Sequence, residues 1–416
     1  MTPAEVFTPS RAPLREHNVY VSRADAEREL DSAINQGDTP LIFGEFGVGK
    51  TSLALHFFRN ERDENRLVHF ARPDKQSLDA VFRQALEQIG YIVETSMVEE
   101  RADSADIGLS AGLWSVFKAR LGASMKDSVA TSTELYVKSP TDAAVLDALG
   151  LRRMILLIDE LHQSDDEFRR DLVRLIKTLS DRGADYPKLV LAGTSAQPEL
   201  LVRLDEGVDR LVREVPVRPL TRHESDQVVR RGFGKLQIAL DDVLVDRLVG
   251  TAAGAPSLLH TLCLEAAEHV RGSHSDSLND DAIDEAIQKV VQRHYHRLTE
   301  RYMKATNTTG SKRYREKILR ACAESDADFI TMEMLVEKVS LYTGESVPRT
   351  RLSEPLRHLK SPDYGDILAD VPRIDGEGRH YNLTVFRDPS MKAYVRFLMA
   401  IEDQGYPISM AQDSGR

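Results

Sequence analysis

The chain has 416 residues, 41% apolar and 29% charged, the profile of a globular protein long enough for two or three domains. A formal net charge of −11 excludes a generally basic, nucleic-acid-coating surface and leaves room only for a local basic patch. Two distant cysteines, Cys263 and Cys322, make neither a disulfide framework nor a zinc spacing, and they suit a reducing cytoplasm. The N-terminal stretch MTPAEVFTPSRAPLREHN lacks the apolar core of a secretory signal, and no window of about 18 apolar residues predicts a membrane span.

The run TPLIF reads as a short buried strand, and KTSLALHFFRN after it as a helix. Between them GEFGVGKT fits G-x-x-x-x-G-K-[ST], a loop whose glycines let backbone N–H groups wrap a phosphate chain at a helix N-terminus. Gly44, Glu45, Phe46, Gly47, Val48 and Gly49 form that wrap. Lys50 can reach the β and γ phosphates, and the Thr51 hydroxyl, followed by Ser52, offers one position to Mg²⁺. ATP and Mg²⁺ are the cofactors this pattern calls for. A Gly-rich turn without a ligand is the plain alternative, and the strand and helix on either side argue against it.

A second strand is expected in RLVHFARPD and a helix in QSLDAVFRQALEQIGYIV. The excursion from Thr95 to Ser139 then loses helical periodicity, and DIGLSAGLWSVFKARLGASMKDSVATSTELYVK reads as a β-hairpin insertion. It carries the single tryptophan, Trp114, together with Phe117. Two readings stay open: a projecting hairpin that touches a partner, or a hairpin folded on its own domain with Trp114 in a local core.

RRMILLIDELHQ is a continuous apolar run ending in two acids, the pattern of a buried parallel strand delivering carboxylates to one sheet edge. Asp159 is placed to support the Mg²⁺ shell and Glu160 to polarise an attacking water, which argues for hydrolysis of ATP to ADP and phosphate. PKLVLAGTSAQ is a further buried strand, with Thr194, and after it Ser195, as the polar sensor of the γ-phosphate; a strand-ending turn is the alternative.

These pieces in this order resemble AAA+ ATPases, particularly the origin-recognition-type and STAND branches. VYVSRADAERELDSAI is similar to the lead-in that abuts the adenine in those proteins, DRLVREVPVRPLTRHE to the segment that opens their helical lid, and GAPSLLHTLCLEAA to the lid motif G-x-P-R-x-hydrophobic. The resemblance spans roughly 19–267. It implies an arginine near the end of the helix before the PLT segment that reaches a neighbour's γ-phosphate, a place held by Arg210 and Arg213; a surface salt bridge is the equal alternative. Ser257 stands where many relatives carry an arginine, which leaves Pro256 as the implied lid contact.

Beyond Ala267 a long helix is expected from Asp280 through DDAIDEAIQKVVQRHYHRLTERYMKAT, with His294 and His296 as surface histidines and not metal ligands. After the polar linker NTTGSKR come three short helical patterns, then a hairpin turning at Asp375-Gly376 and a closing helix, the winged-helix order. Its third helix offers Arg349, Arg351, Arg357 and Lys360 and its wing Arg373 and Arg379, but Glu354, Asp363, Asp366, Asp375 and Glu377 are interleaved, so DNA contact through 349–379 and a protein-interaction role both stay open.

The expected fold is an α/β P-loop NTPase core with a parallel sheet and flanking helices, an α-helical lid and a C-terminal winged-helix domain. The expected boundaries are 1–18 for an N-terminal extension, 19–218 for the core with its 95–139 insertion, 219–306 for the lid and connecting helix, and 307–416 for the winged helix. The expected activity is that of a cytoplasmic ATPase, a STAND-like switch in bacterial regulation or defence. It would act as a homo-oligomer or through a separate effector protein, with no membrane partner; an origin-recognition-like loader that binds DNA is the alternative.

Overall fold

The computed structural model of the chain describes residues 1–13, 17–45, 47–60, 68–73, 76–92, 133–134, 143–182, 187–193, 205–307, 313–325, 329–374, 380–388 and 390–405. They divide into two compact units. One is built from Met1–Ala24, Phe43–His56 and Pro216–Arg416, the other from Asp25–Ile42 and Phe57–Val215.

Among the described residues, the strands before the first unit's long C-terminal stretch are β1 (Thr39–Phe43), β2 (Val68–Ala71), β3 (Tyr91–Ile92), β4 (Thr133–Glu134), β5 (Ile155–Ile158), β6 (Lys188–Gly193) and β7 (Val212–Pro216). Five of them form one sheet in the order β2-β5-β6-β1-β7. The β2, β5 and β6 pairings are parallel, with Val68 opposite Ile155 and Ile155 opposite Lys188. Every residue of β5 and β6 is buried, as expected of strands covered on both faces. The strands expected in TPLIF, RLVHFARPD, RRMILLIDELHQ and PKLVLAGTSAQ are present at Thr39–Phe43, Val68–Ala71, Ile155–Ile158 and Lys188–Gly193. β7 was not foreseen, because VREVP alternates charges with valines and reads as the approach to the lid. β3 pairs with β4 in parallel. The rest of the expected 95–139 hairpin, with Trp114 and Phe117, lies outside the described residues.

The helices of the same stretch are α1 (Pro3–Val6), α2 (Ala24–Gln36), α3 (Lys50–Asn60), α4 (Leu78–Gln88), α5 (Ala143–Leu151) and α6 (Asp166–Asp181). Helix α6 shows why they form. Asp165 accepts a hydrogen bond from Phe168 N at 2.8 Å, Asp166 and Glu167 sit at the positive end of the dipole, and Phe168, Leu172, Leu175 and Ile176 bury one face. That face joins Phe82, Leu86, Leu146, Leu149, Leu156 and Leu189 in the core of the second unit.

The first unit continues with α7 (Arg222–Leu236), α8 (Asp242–Ala252), α9 (Pro256–Gly272), α10 (Asp280–Lys289), α11 (His296–Thr306), α12 (Tyr314–Ala323), α13 (Met332–Thr343), α14 (Arg349–Leu359) and α15 (Ser390–Asp403). Thr221 and Glu224 cap α7 reciprocally: Thr221 Oγ1 accepts from Glu224 N at 3.2 Å, and Glu224 Oε2 from Thr221 N at 2.7 Å. The single long helix expected from Asp280 is instead two. A π-turn at Val290–His294 separates α10 from α11, and Thr299 Oγ1 donates back to the carbonyls of Val291 and Tyr295 across the break. Strands β8 (Phe329–Ile330), β9 (Leu368–Ile374) and β10 (His380–Phe386) form an antiparallel sheet ordered β8-β10-β9, with His380 opposite Ile374. The expected three helices, hairpin and closing helix are present in that order; the turn at Asp375-Gly376 and Arg379 lie outside the described residues.

One apolar core runs through this whole unit, from Val6 and Phe7 through Phe233, Leu248, Leu262 and Ile283 to Leu319, Leu352, Tyr394 and Phe397. The boundaries read from motifs at 219–306 and 307–416 therefore fall inside one compact unit. The segment read as an N-terminal extension is built into it as well: Phe7 is 1% exposed and packs on Phe233, and Thr8 N donates to His260 Nδ1 at 3.1 Å.

Candidate nucleotide site

The phosphate-loop sequence leaves the end of β1 and enters α3 at Lys50. Gly44 has φ +156° and Gly47 φ +77°, conformations that L side chains rarely adopt. A Cβ on Gly44 would lie 2.3 Å from the backbone oxygen of Val217, so that position demands glycine for space as well; one on Gly47 would lie 2.7 Å from Ser257 Oγ, a side-chain atom that can turn aside. At Gly44 and Gly47 the loop thus leaves a hollow that a side chain would fill, the shape a phosphate chain needs. Lys50 Nζ donates to the carbonyls of Gly44 at 3.0 Å and Glu45 at 2.8 Å, so its charge is held within the loop. Thr51 and Ser52, both half-buried, follow in the first turn of α3. Phe46 lies outside the described residues.

Helix α9 opens beside this loop. Pro256 occupies its first turn, where no amide hydrogen is required, and its Cγ would lie 3.9 Å from a Cβ on Gly49. Pro256 thus lies beside Gly49, and Ser257 stands against Gly47. The turn before α9 is fixed by Leu220 N, which donates to Gly254 O at 2.8 Å and so ties the PLT segment to the GAP segment. Arg23 donates to Val48 O at 3.4 Å and to Arg218 O, and pairs with Glu224 at 3.6 Å, which joins the VSRADAERE segment to the loop. The Tyr20 and His56 rings stack with centroids 3.7 Å apart.

Glu45 has two partners that sequence reading missed. Its carboxylate is held by Lys392 Nζ at 2.6 Å and by Arg396 through NH1 at 2.6 Å and NH2 at 3.2 Å. Nothing in the spacing links residues some 350 positions apart. The available signal was chemical, since a carboxylate inside a phosphate-binding loop needs a cation.

In the other unit, Asp159 follows the last residue of β5 and is 2% exposed. Its amide donates to Ala71 O at 2.9 Å, extending the ladder to β2, and its Oδ1 accepts from Glu160 N at 2.8 Å. Glu160 adopts the left-handed conformation at φ 54°, costly for a residue with a side chain and of the sort that concentrates at functional sites. Its carboxylate accepts from Gln163 Nε2 at 2.5 Å and pairs with Arg72 Nε at 3.8 Å. Thr194 and Ser195 lie outside the described residues. Arg210 is exposed within a 3-10 turn (Glu206–Leu211). Arg213 lies on β7 and not at a helix end; its guanidinium pairs with Asp38 at 3.2 Å and donates to Gln36 Oε1 at 2.9 Å.

On α14, Leu352, Leu356 and Leu359 are buried and Arg349, Arg351 and Arg357 exposed. Arg349 and Arg357 stand 4.0 and 3.9 Å from Glu333 and Glu354, whereas Lys360 is held by Asp370 at 2.5 Å. Among the described residues no group of three His, Cys, Asp or Glu side chains could hold a metal ion by itself, and no helix is long and apolar enough to cross a membrane.

No family model and no curated protein matches the sequence. Among solved structures, the chain is similar to a Walker-type ATPase of Pyrococcus abyssi at 20% identity and TM-score 0.48, covering 93% of this chain and 98% of that one. It is similar to Cdc6p of Pyrobaculum aerophilum at 13% identity and TM-score 0.48, covering 96% and 98%. A third is the ORC2 protein of Aeropyrum pernix, solved as ADPNP–ADP complexes, at 13% identity and TM-score 0.49, covering 95% and 97%.

Proposed function

We propose that the chain is an ATP-hydrolysing P-loop protein of the AAA+ type, in which the nucleotide controls how the C-terminal winged helix engages DNA. The observation that carries the first part is the glycine cradle. Gly44 is in a conformation and a space closed to other residues, Gly47 is in a left-handed conformation, and Lys50 is held over their loop. Bound ATP with Mg²⁺ would supply the γ-phosphoryl group that passes to water. The amides of Gly44, Glu45, Gly47, Val48 and Gly49 would bind the phosphates, and Lys50 would balance their charge. The Thr51 hydroxyl and the Asp159 carboxylate fit the oxygen donors Mg²⁺ prefers. Glu160, oriented by Gln163 and Arg72, would take the proton of the attacking water. The test is binding of a fluorescent ATP analogue to the full chain and to Lys50→Ala: loss of binding in the variant supports the reading, and equal binding refutes it.

The DNA-handling reading is favoured over a STAND-like switch by α14, where a helix packed through three leucines turns Arg349, Arg351 and Arg357 to solvent. Loss of one phosphate contact, as in Arg351→Ala, should weaken duplex binding uniformly across sequences and lower the slope of log affinity against log salt by about 1. No binding of duplex DNA at low salt, in ATP or in ADP, would remove this part.

A further inference from the structure

Glu45 is a loop residue with two roles. Its carbonyl oxygen accepts from Lys50 Nζ at 2.8 Å, so it helps place the ammonium that would meet phosphates. Its carboxylate is clamped by Lys392 and Arg396, one turn apart on α15. Arg396 is itself fixed, donating to Ala323 O at 2.6 Å and Ser325 O at 3.2 Å beyond α12. The cluster is enclosed: side-chain exposure is 14% for Glu45, 5% for Lys392 and 19% for Arg396. Without α15 in place, the same loop would present a carboxylate lacking both of these cations to any polyphosphate, and the like charges repel.

We propose that Glu45, Lys392 and Arg396 are a latch by which the C-terminal region sets nucleotide affinity: the loop binds a nucleoside triphosphate tightly only while α15 is seated on it. The inference rests on the reading of this loop as a nucleotide site and concerns the regulation of that site. Linkage makes the effect reciprocal. If docking of α15 tightens nucleotide binding, bound nucleotide holds α15 down by the same factor. A partner that draws the C-terminal region away would thereby release nucleotide.

The test uses the full chain and a fluorescent ATP analogue. Arg396→Met and Lys392→Met are each expected to weaken binding on the order of tenfold. Glu45→Gln combined with Arg396→Met should bring affinity back to within about threefold of the unaltered chain, because the carboxylate that required the cation is gone. Independently of any variant, saturating analogue should raise amide-exchange protection along Ser390–Asp403. Binding by Arg396→Met as tight as the unaltered chain or tighter, a double variant no better than Arg396→Met, or unchanged protection of that helix overturns the latch. Lys50→Ala separates the two claims. Binding that needs Lys50 and ignores Arg396 overturns the latch alone. Absent binding, or binding indifferent to Lys50, removes the nucleotide site and the latch together.

Discussion

Replacing Gly44 with alanine is the sharpest test of the loop geometry. At φ +156° an L residue is strained by about 1–3 kcal/mol. The new Cβ would also lie 2.3 Å from Val217 O, a backbone atom that cannot rotate aside. Val217 cannot retreat cheaply, because its N–H donates to Phe43 O at 2.8 Å; giving up that bond costs about 1 kcal/mol more. The sum is about 2–4 kcal/mol. Gly344, in the same unit, is the control. Its φ is +68° and a Cβ there would meet nothing within 4 Å, so Gly344→Ala should cost only the left-handed strain, about 1–2 kcal/mol. Urea denaturation of both variants, followed by far-ultraviolet circular dichroism, measures the difference. The reasoning is refuted if Gly44→Ala loses no more stability than Gly344→Ala.

Burial pushes the His260 pKa down from 6.5 to about 4, so the imidazole is neutral in the fold and its Nδ1 accepts from Thr8 N. The unfolded chain binds the extra proton first, so the associated stability is complete above about pH 6.5 and is lost as pH falls towards 4, about 3 kcal/mol in all. His260→Gln, which keeps an acceptor but does not titrate, should flatten stability between pH 7 and 5; an unchanged slope would contradict this. Gly232→Ala puts a Cβ 2.3 Å from the Phe7 ring and is expected to cost about 1–3 kcal/mol by overpacking, seen as faster proteolysis of the N-terminal segment; cleavage at the rate of the unaltered chain would contradict it. Arg213 is engaged by Asp38 and Gln36 while Arg210 is exposed. Arg213→Ala should therefore cost less than about 1 kcal/mol of stability and little turnover, and Arg210→Ala should lower turnover at high protein concentration; phosphate-release assays showing the reverse would refute this assignment.

The sequence made some parts of this molecule legible because their physics is local. TPLIF, ILLI and KLVLAG are apolar runs of strand length, and the phosphate loop is set by glycines whose conformational need is written in their identity. Thr221 and Glu224 carry their cap in four residues. What escaped depends on tertiary contact. β7 is a strand because β1 pairs with it at the sheet edge, not because VREVP has a strand's composition. The break after Lys289 falls in a run whose helical periodicity continues unbroken, and it shows only in the π-turn itself. The merging of Val6 with Phe397 in one core, and the pairing of Glu45 with Arg396, join residues that no local pattern connects.

Hydrolysis assigned to Glu160 is tested by phosphate release from Glu160→Gln under conditions where the variant still binds the ATP analogue. Binding should stay close to that of the unaltered chain while release falls by about 10²-fold or more, since the amide cannot take the proton of water. Release at the unaltered rate from a variant that binds normally would contradict it.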